Sequence, residues 1–273
     1  MRTIVHLSDL HFGRVDLELL DPLVAAVAAA RPDVVAISGD LTQRARSSQF
    51  IEAREFLGRL PRPQIVVPGN HDVPLYDVAR RFLAPLRRFR RYITDDPAPF
   101  HRDDEIAVVG LNTARSLTFK GGRINKEQVA LVERRFRNVE PSVLRVVVTH
   151  HPFNLPEAGD EDDLVGRAAM AMRVFANCGV DVLLSGHLHT THAGDTSTRF
   201  EIAGYAALVV QAGTASSTRA RGESNSFNIL RLAPSRVEVD VMRWQAEARA
   251  FVLLRTDIFE REGGAWRSRN RIR

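Results

Sequence analysis

Cysteine and long apolar runs are the first features that this sequence lacks. A single cysteine, Cys178, stands among 273 residues, so an internal disulfide is excluded and a reducing compartment, the cytoplasm, is expected. No stretch reaches the roughly 20 apolar residues of a membrane span, and the best run, Leu23 to Ala30, predicts a buried helix. The first residues predict a strand and not a secretory leader. The composition therefore favours a cytoplasmic globular protein.

Lysine is nearly as rare, because only Lys120 and Lys126 are lysines among the 38 basic residues. Arginine carries the positive charge and is concentrated in residues 80–92 and in the tail 267–273. Solvated helix faces and a frayed terminus would account for both clusters. The alternative is attraction to an anionic partner, such as a phosphate substrate or a membrane surface met by Arg80–Arg91. No basic stripe with interleaved aromatic residues favours nucleic acid.

No repeat, low-complexity segment or linker divides the chain, so we expect one domain over residues 1–273. The first part alternates apolar strand patterns, at 3–7, 34–38, 64–67, 106–111, 144–149 and 180–184, with helix patterns at 17–30, 48–60, 77–91, 126–137 and 164–177. Beyond residue 190 the period becomes two, which predicts consecutive antiparallel strands at 199–203, 206–211, 226–232, 236–244 and 249–255. This order predicts an α/β fold of two packed sheets with helices outside.

Five short polar motifs follow directly after predicted strands. In chain order they are Asp9-Leu10-His11, Gly39-Asp40, Gly69-Asn70-His71-Asp72, His150-His151-Pro152 and Gly186-His187-Leu188-His189. Six of the nine histidines lie in these motifs, a concentration that unrelated polar residues would rarely produce. Because ligand sites of open α/β sheets lie where strands end, we expect the motifs to form one site.

The residue types in the motifs indicate metal binding. Carboxylate and amide oxygens with imidazole nitrogens, and no thiolate, suit Mn, Fe, Zn, Co or Ni. Pairs two residues apart, Asp9 with His11 and His187 with His189, are expected to point the same way from an extended segment. Glycines beside them are expected to let the backbone turn sharply. Divalent ions would leave a net positive site that attracts an anionic phosphate and generates hydroxide near neutral pH.

The motif series resembles that of the calcineurin-like metallophosphoesterase superfamily. It is most similar to the bacterial phosphodiesterase branch with class III cyclic-nucleotide phosphodiesterases and glycerophosphodiesterases. The resemblance implies a four-layer α/β/β/α sandwich of two mixed sheets flanked by helices. It also implies two divalent metal ions with a defined ligand set. The first would be held by Asp9, His11 and His189, the second by Asn70, His150 and His187, with Asp40 bridging both.

Three further motif residues have less certain roles. In the family the position of His71 faces the substrate phosphate, which implies that it stabilises phosphoryl charge or protonates the leaving alkoxide. Asp72 would orient the His71 ring through a hydrogen bond, or else cap a turn before Val73. His151 would contact substrate, or support its neighbour His150 through hydrogen bonds. His6, within the first predicted strand, is expected to be a hydrogen-bonded core histidine.

Two segments outside the motifs could face a substrate. The polar stretch 213–228, with Arg219 and Arg221, is either a surface hairpin loop or a substrate-recognition loop. Residues 73–105, which carry the arginine cluster, could form a small cap over the site.

The function that follows is hydrolysis of a small-molecule phosphodiester, a cyclic nucleotide or a glycerophosphodiester, by a hydroxide that bridges the two metals. A nucleotide-lipid pyrophosphatase of the UDP-2,3-diacylglucosamine type is an alternative, and so is a non-catalytic, metal-bound scaffold. A phosphomonoesterase also fits the ligands. The sequence does not determine the metals or the oligomeric state.

Overall fold

The structure is a computed structural model that describes residues 1–118, 120–155, 160–218 and 223–272. Residues 270–272 are described by their backbone alone. The strands of these residues are, in chain order, β1 (Arg2–Leu7), β2 (Val34–Ser38), β3 (Gln64–Val67), β4 (Phe100–Arg102), β5 (Ile106–Gly110), β6 (Leu144–Val148), β7 (Val182–Ser185), β8 (His192–Asp195), β9 (Leu208–Gln211), β10 (Ser226–Ala233), β11 (Arg236–Gln245), β12 (Ala250–Glu262) and β13 (Ala265–Ile272).

These strands form two mixed sheets. The first has the order β13-β12-β11-β10-β1-β2-β3, in which β1, β2 and β3 are parallel and the remaining neighbours antiparallel. The second has the order β4-β5-β6-β7-β9-β8, in which the four central strands are parallel and both edge strands antiparallel. The parallel strands of each sheet end at a common edge, which is where a ligand site of this architecture is expected.

Five of the six described α-helices cover the outer faces of the two sheets. The helices are α1 (Leu20–Ala29), α2 (Ser47–Gly58), α3 (Val78–Leu83), α4 (Arg87–Tyr92), α5 (Lys126–Phe136) and α6 (Ala168–Asn177). Among them, α3 contributes no residue to the cores beneath the helices. The alternation of side chains in β2 shows the layering, because Val35 and Ile37 join the core under α1, α2 and α4, whereas Val34 and Ala36 join the core between the sheets. A third core packs α5 and α6 on the second sheet. The expected four-layer α/β/β/α sandwich is confirmed.

The strand-rich last third differs from its prediction. Residues 199–203 do not form a strand; β8 lies just before them, followed by a 3-10 turn at Thr196–Thr198 that the Asp195 side chain caps. The next strand, β9, pairs antiparallel with β8, as predicted for consecutive strands, but on its other side it runs parallel to β7. The alternation of apolar residues predicts a strand but carries no information about which strand it pairs with.

The basic tail is likewise a strand and not a frayed end. Residues 265–272 form β13, which pairs antiparallel with β12, and Trp266 is buried between the sheets. This pairing extends β12 to Glu262, well beyond the predicted end at 255. The helix pattern at 77–91 is interrupted at Pro85, where proline removes a helical hydrogen bond, so that α3 ends at Leu83 and α4 begins at Arg87. Among the helices that the structure describes, none has the length and apolar content needed to cross a bilayer.

Candidate metal centre

Backbone hydrogen bonds beyond the strand ends bring the five motifs together. Asp9 N donates to Gly39 O at 3.1 Å and His11 N donates to Asp40 O at 2.9 Å, which joins the loops after β1 and β2. Gly186 N donates to His150 O at 3.0 Å and joins the loops after β6 and β7. Both pairs of loops lie at the carboxyl edges of parallel strands, so the expected assembly of the motifs into one site is what the fold produces.

The first group of metal-ligating atoms contains Asp9, His11 and His189, all buried. Asp9 Oδ1 lies 3.6 Å from His11 Nε2 and 3.3 Å from His189 Nε2, and the two ring nitrogens are 3.3 Å apart. Among the described residues Asp9 Oδ1 has no hydrogen-bond donor, although it is buried. A buried carboxylate oxygen without a donor, facing two imidazole nitrogens, is the arrangement that a divalent cation satisfies.

The other oxygen of Asp9 is held by the protein itself. Oδ2 accepts hydrogen bonds from Ser8 Oγ at 2.6 Å and from His187 N at 3.0 Å. These two bonds fix the carboxylate plane and direct Oδ1 towards the histidines. Such support of a ligand from behind maintains metal geometry in known sites, and Ser8 is a functional residue that the motif analysis missed.

The second group contains Asn70, His150 and His187. His150 Nε2 lies 3.0 Å from Asn70 Oδ1 and 3.3 Å from His187 Nδ1. The other His150 nitrogen, Nδ1, lies 2.7 Å from the carbonyl oxygen of Ser38 and donates to it, so the lone pair of Nε2 faces the group. The three side chains that the family pattern assigns to a second metal therefore point at one another.

Asp40 lies between the two groups. Its Oδ1 is 3.5 Å from His150 Nε2, and its Oδ2 is 3.7 Å from His11 Nε2. Burial would raise the pKa of this carboxyl group, but the neighbouring imidazoles, His150 foremost, lower it below its usual value. An ionised Asp40 therefore offers one oxygen to each group.

The ligand loops are tight turns and not extended segments. Five residues have φ in the left-handed region: Asp9 at 53°, His11 at 51°, Asp40 at 52°, His187 at 76° and His189 at 62°. The expectation that pairs two apart project from extended backbone is therefore wrong; the side chains converge because both members of each pair are left-handed. Non-glycine residues in this region cost about 1–3 kcal/mol each, and such strain concentrates at functional sites.

The glycines of the motifs serve two different purposes. Gly39 has φ of +93° and makes the sharp turn that was expected. Gly69 has φ of −103°, which any residue adopts, but a Cβ there would lie 2.1 Å from Asp40 Oδ1. Gly69 is therefore required for close approach of the backbone to the carboxylate and not for a turn.

His71 faces the same space as the two groups. Its ring lies edge-on to that of His11, with centroids 4.9 Å apart, and its Nδ1 is 3.0 Å from the carbonyl oxygen of Gln43. Its backbone N donates to Asp40 Oδ1 at 2.8 Å, which couples its position to the carboxylate between the groups. Gln43 thus supplies an orienting contact that was expected from Asp72.

Asp72 is buried beneath the loop after β2. Its two oxygens accept from Gly69 N at 2.9 Å, from Leu41 N at 3.1 Å, and from Thr42 N and Oγ1, both at 2.9 Å. Burial and the charge of Asp40 raise the pKa of Asp72 to about 6. These bonds fit the turn-capping alternative, and they place Asp72 in support of the loop that carries Asp40.

The ring of His151 is fully buried away from the opening of the site. Its Nδ1 lies 2.8 Å from Thr113 Oγ1 and its Nε2 lies 2.7 Å from the carbonyl oxygen of Lys120. Burial, followed by the charges of His150 and His187, holds the pKa of His151 well below its usual value. These contacts favour the supporting role over contact with substrate.

The polar stretch 213–228 also has a supporting role in its described part. Thr214 Oγ1 donates to the carbonyl oxygen of Asp9 at 2.7 Å, and Ser216 Oγ donates to that of Leu10 at 3.1 Å. These bonds brace the first ligand loop from a segment about 200 residues away in the chain. Arg219 and Arg221, predicted to contact substrate, lie outside the described residues.

A pocket of about 240 Å³ opens above the two groups. Its wall includes Asp40, Asn70, His71, His187 and His189 from the motifs, and Val73, Leu75 and Arg81 from the predicted cap region. Three charged residues in the wall were missed by the motif analysis: Arg44, Lys120 and Asp163. Two of these residues could have been found from the sequence: Lys120 is one of only two lysines, and Arg44 follows Asp40 in the same loop. No feature of the local sequence predicts a role for Asp163.

The family model for calcineurin-like phosphoesterases matches residues 2–191 of the chain. The chain belongs to this family. The resemblance inferred from the five motifs is thereby confirmed. The family is one of phosphoesterases, and the Asp and His groups of this chain offer ligand atoms suited to divalent metal.

Two curated relatives are similar in sequence to part of this chain. Glycerophosphodiester phosphodiesterase GpdQ of Enterobacter lignolyticus (strain SCF1) is 29% identical over 168 residues, which cover 57% of this chain and 59% of that protein. Uncharacterized protein YpbG of Bacillus subtilis (strain 168) is 28% identical over 193 residues, covering 68% and 61% respectively. The chain thus spans about three fifths of the length of these relatives.

Comparison with a solved structure supports the fold described above for this calcineurin-like phosphoesterase. A dimetal phosphatase from Danio rerio superposes with a TM-score of 0.63 at 15% identity, covering 93% of this chain and 98% of that one. At this identity the likeness concerns the fold alone.

Proposed function

We propose that the protein is a binuclear metal-dependent phosphodiesterase that hydrolyses a small-molecule diester, either a cyclic nucleotide or a glycerophosphodiester. The observation that carries the proposal is the position of Asp40, whose Oδ1 and Oδ2 face His150 and His11 in separate groups of ligating atoms. A carboxylate with one oxygen directed to each group is suited to bridge two cations. The metals are divalent ions from Mn, Fe, Zn, Co and Ni, which suit oxygen and imidazole ligands.

The proposed ligands are Asp9, His11 and His189 at the first position, Asn70, His150 and His187 at the second, and Asp40 at both. Divalent ions held there would supply Lewis acidity towards a phosphate oxygen and a water that ionises near neutral pH. The protein contributes preorganisation, because the bonds to Asp9 Oδ2 and to His150 Nδ1 hold these side chains in place.

His71 is the proposed acid or charge-stabilising group. The carbonyl oxygen of Gln43, 3.0 Å from Nδ1, holds the ring when Nδ1 carries a proton. The ring's Nε2 then exchanges the second proton and can deliver it to a leaving alkoxide in the pocket. Arg44 and Lys120 in the pocket wall add positive charge that attracts an anionic substrate.

The preference for diesters is supported by one relative, the glycerophosphodiester phosphodiesterase GpdQ. The pocket, at about 240 Å³, also has the scale of a small molecule. The predicted cap, residues 73–105, contributes Val73, Leu75 and Arg81 to the wall, so this segment would contact the group esterified to the phosphate.

The experiment is a substrate panel on chelator-stripped protein refilled separately with Mn, Fe, Co, Ni and Zn. It compares bis-(p-nitrophenyl) phosphate, p-nitrophenyl phosphate, cyclic nucleotides, glycerophosphodiesters and a nucleotide-linked lipid. We expect metal-dependent cleavage of diesters over monoesters, and loss of cleavage in Asp40→Ala but not in the exposed control Asp95→Ala. A folded protein with two bound ions that cleaves none of the compounds would favour the scaffold alternative, and preference for the monoester would refute the diester assignment.

A further inference from the structure

An exposed apolar patch lies beside the wall of the pocket. We define it as Tyr76, Val78, Phe82, Leu83 and Leu117, which are 54 to 86% exposed. In the described part of the chain the other exposed large apolar residues lie in three other segments of the sequence: Met1, Leu17, and the adjacent pair Leu253 and Leu254. Single exposed leucines are ordinary, but several together on neighbouring segments mark an interaction surface.

Arg81 joins the two segments that form the patch. Its Nη1 donates to Pro74 O at 2.9 Å, its Nε to Ser116 O at 2.7 Å and its Nη2 to Thr118 O at 2.6 Å. Leu117 is therefore held next to α3, which carries Phe82 and Leu83. Because Arg81 is itself buried, the apolar residues are exposed by a well-bonded structure and not by a loose loop.

The same arginine connects the patch to the pocket. Arg81, Val73 and Leu75 line the wall that also contains Asp40 and His71. Whatever covers the patch therefore lies beside a segment that also forms the wall of the pocket.

The charges around the patch favour an anionic occupant. Residues 76–92 contain six arginines and one acidic residue, Asp77, which pairs with Arg80. Arg87, Arg90 and Arg91 are exposed, so the segment keeps a clear positive charge. Arg44 lies over the Tyr76 ring, 5.6 Å from its centroid. Aromatic and aliphatic side chains bordered by arginine are typical of segments that lie in the interface of an anionic membrane. A second copy of the chain would instead place like charges opposite each other across an isologous contact.

We propose that this patch docks on an anionic lipid surface and presents the pocket to phosphodiesters at that surface. The arginine cluster supplies the long-range attraction, and the five apolar side chains enter the interface. The nature of the substrate rests on the proposed function, whereas the docking does not.

Vesicle co-sedimentation of the whole protein tests the docking. Vesicles of phosphatidylcholine alone are compared with vesicles in which phosphatidylglycerol makes up about a quarter of the lipid. We expect binding to the mixed vesicles only, weakened by salt, and at least about tenfold weaker in the triple variant Phe82→Ser/Leu83→Ser/Leu117→Ser. The matched control Leu253→Ser/Leu254→Ser, at exposed leucines of β12, should bind as the parent does.

Equal binding of the parent and the triple variant, or no binding of the parent, would overturn the docking proposal. So would a parent dimer that the triple variant converts to a monomer, since the patch would then belong to a second copy. Turnover of bis-(p-nitrophenyl) phosphate is measured on all variants. Unchanged turnover in the triple variant shows that it is folded, and absent turnover in a vesicle-binding parent would count against the proposed function alone.

Discussion

Asp163 Oδ1 lies 3.3 Å from Nε2 of His187, and the other nitrogen of that ring lies 3.3 Å from His150 Nε2. The imidazole is thus placed between a carboxylate and the second group of ligating atoms. A carboxylate in this position orients a ligating histidine and increases its basicity.

We expect Asp163→Asn to weaken binding of the second metal by about 10- to 100-fold, because the amide orients the ring without supplying charge. Metal titration by calorimetry, with metal content per chain, measures the effect. Asp162→Asn, at the exposed neighbouring carboxylate, is the control. Unaltered affinity in Asp163→Asn would show that the contact has no role in metal binding.

His71→Ala should retain both metals and lose turnover by about 100- to 10,000-fold, the range for removal of a general acid. The reason is that the ring lines the pocket but is held by the Gln43 carbonyl, outside the ligand set inferred from the family. Metal content and the turnover of diesters with good and poor leaving groups are measured together. The loss should be smaller for p-nitrophenolate, which needs no proton; a loss of metal would instead identify His71 as a ligand.

Gly69→Ala should displace Asp40, since the added Cβ would lie 2.1 Å from Oδ1 of that carboxylate. We expect loss of metal binding and of activity with the fold retained. The matched control is Gly58→Ala, where a Cβ meets nothing within 4 Å and the residue ends α2. That change should leave activity intact and stabilise the protein by up to about 1 kcal/mol. Full metal occupancy in Gly69→Ala would contradict the close-approach argument.

His6 should make the metal-free protein less stable in acid. It is buried, its Nε2 lies 2.8 Å from Ser38 Oγ, and burial lowers its pKa from 6.5 to about 3. The unfolded chain therefore binds a proton at His6 below pH 6.5, whereas the folded protein binds it only near pH 3. The free energy of unfolding consequently falls as the pH drops from 6.5 to about 3. This change in the protonation of His6 lowers the free energy of unfolding by up to roughly 5 kcal/mol.

Denaturant unfolding of the metal-free protein at several pH values measures this dependence. His6→Gln should show a shallower loss of stability in acid than the parent. Parallel curves for the parent and His6→Gln would refute the assignment.

Local patterns in the sequence were sufficient for the central strands and the ligand motifs. The bounds predicted for β2 and β3 are those observed, because each is a short, mostly apolar run that a polar motif closely follows. The motifs also contain the residues of the two groups, although their division between two metals was implied by the family resemblance and not by the local pattern. Strand ends of a parallel sheet meet at one edge, so the proximity of motifs within one sheet follows from the order of the elements. The meeting of the loops of the two sheets depends on how the sheets pack.

Only the tertiary structure decided how those residues are held. Asp9 Oδ2 accepts from His187 N, 178 residues away, and the backbone of both residues adopts left-handed φ that their local sequence does not specify. The support of Asp9 by Thr214, the position of Asp163 behind His187 and the pairing of β13 are of the same kind. In each case the free energy comes from contacts between distant segments, which satisfy buried polar groups only when the whole fold is assembled.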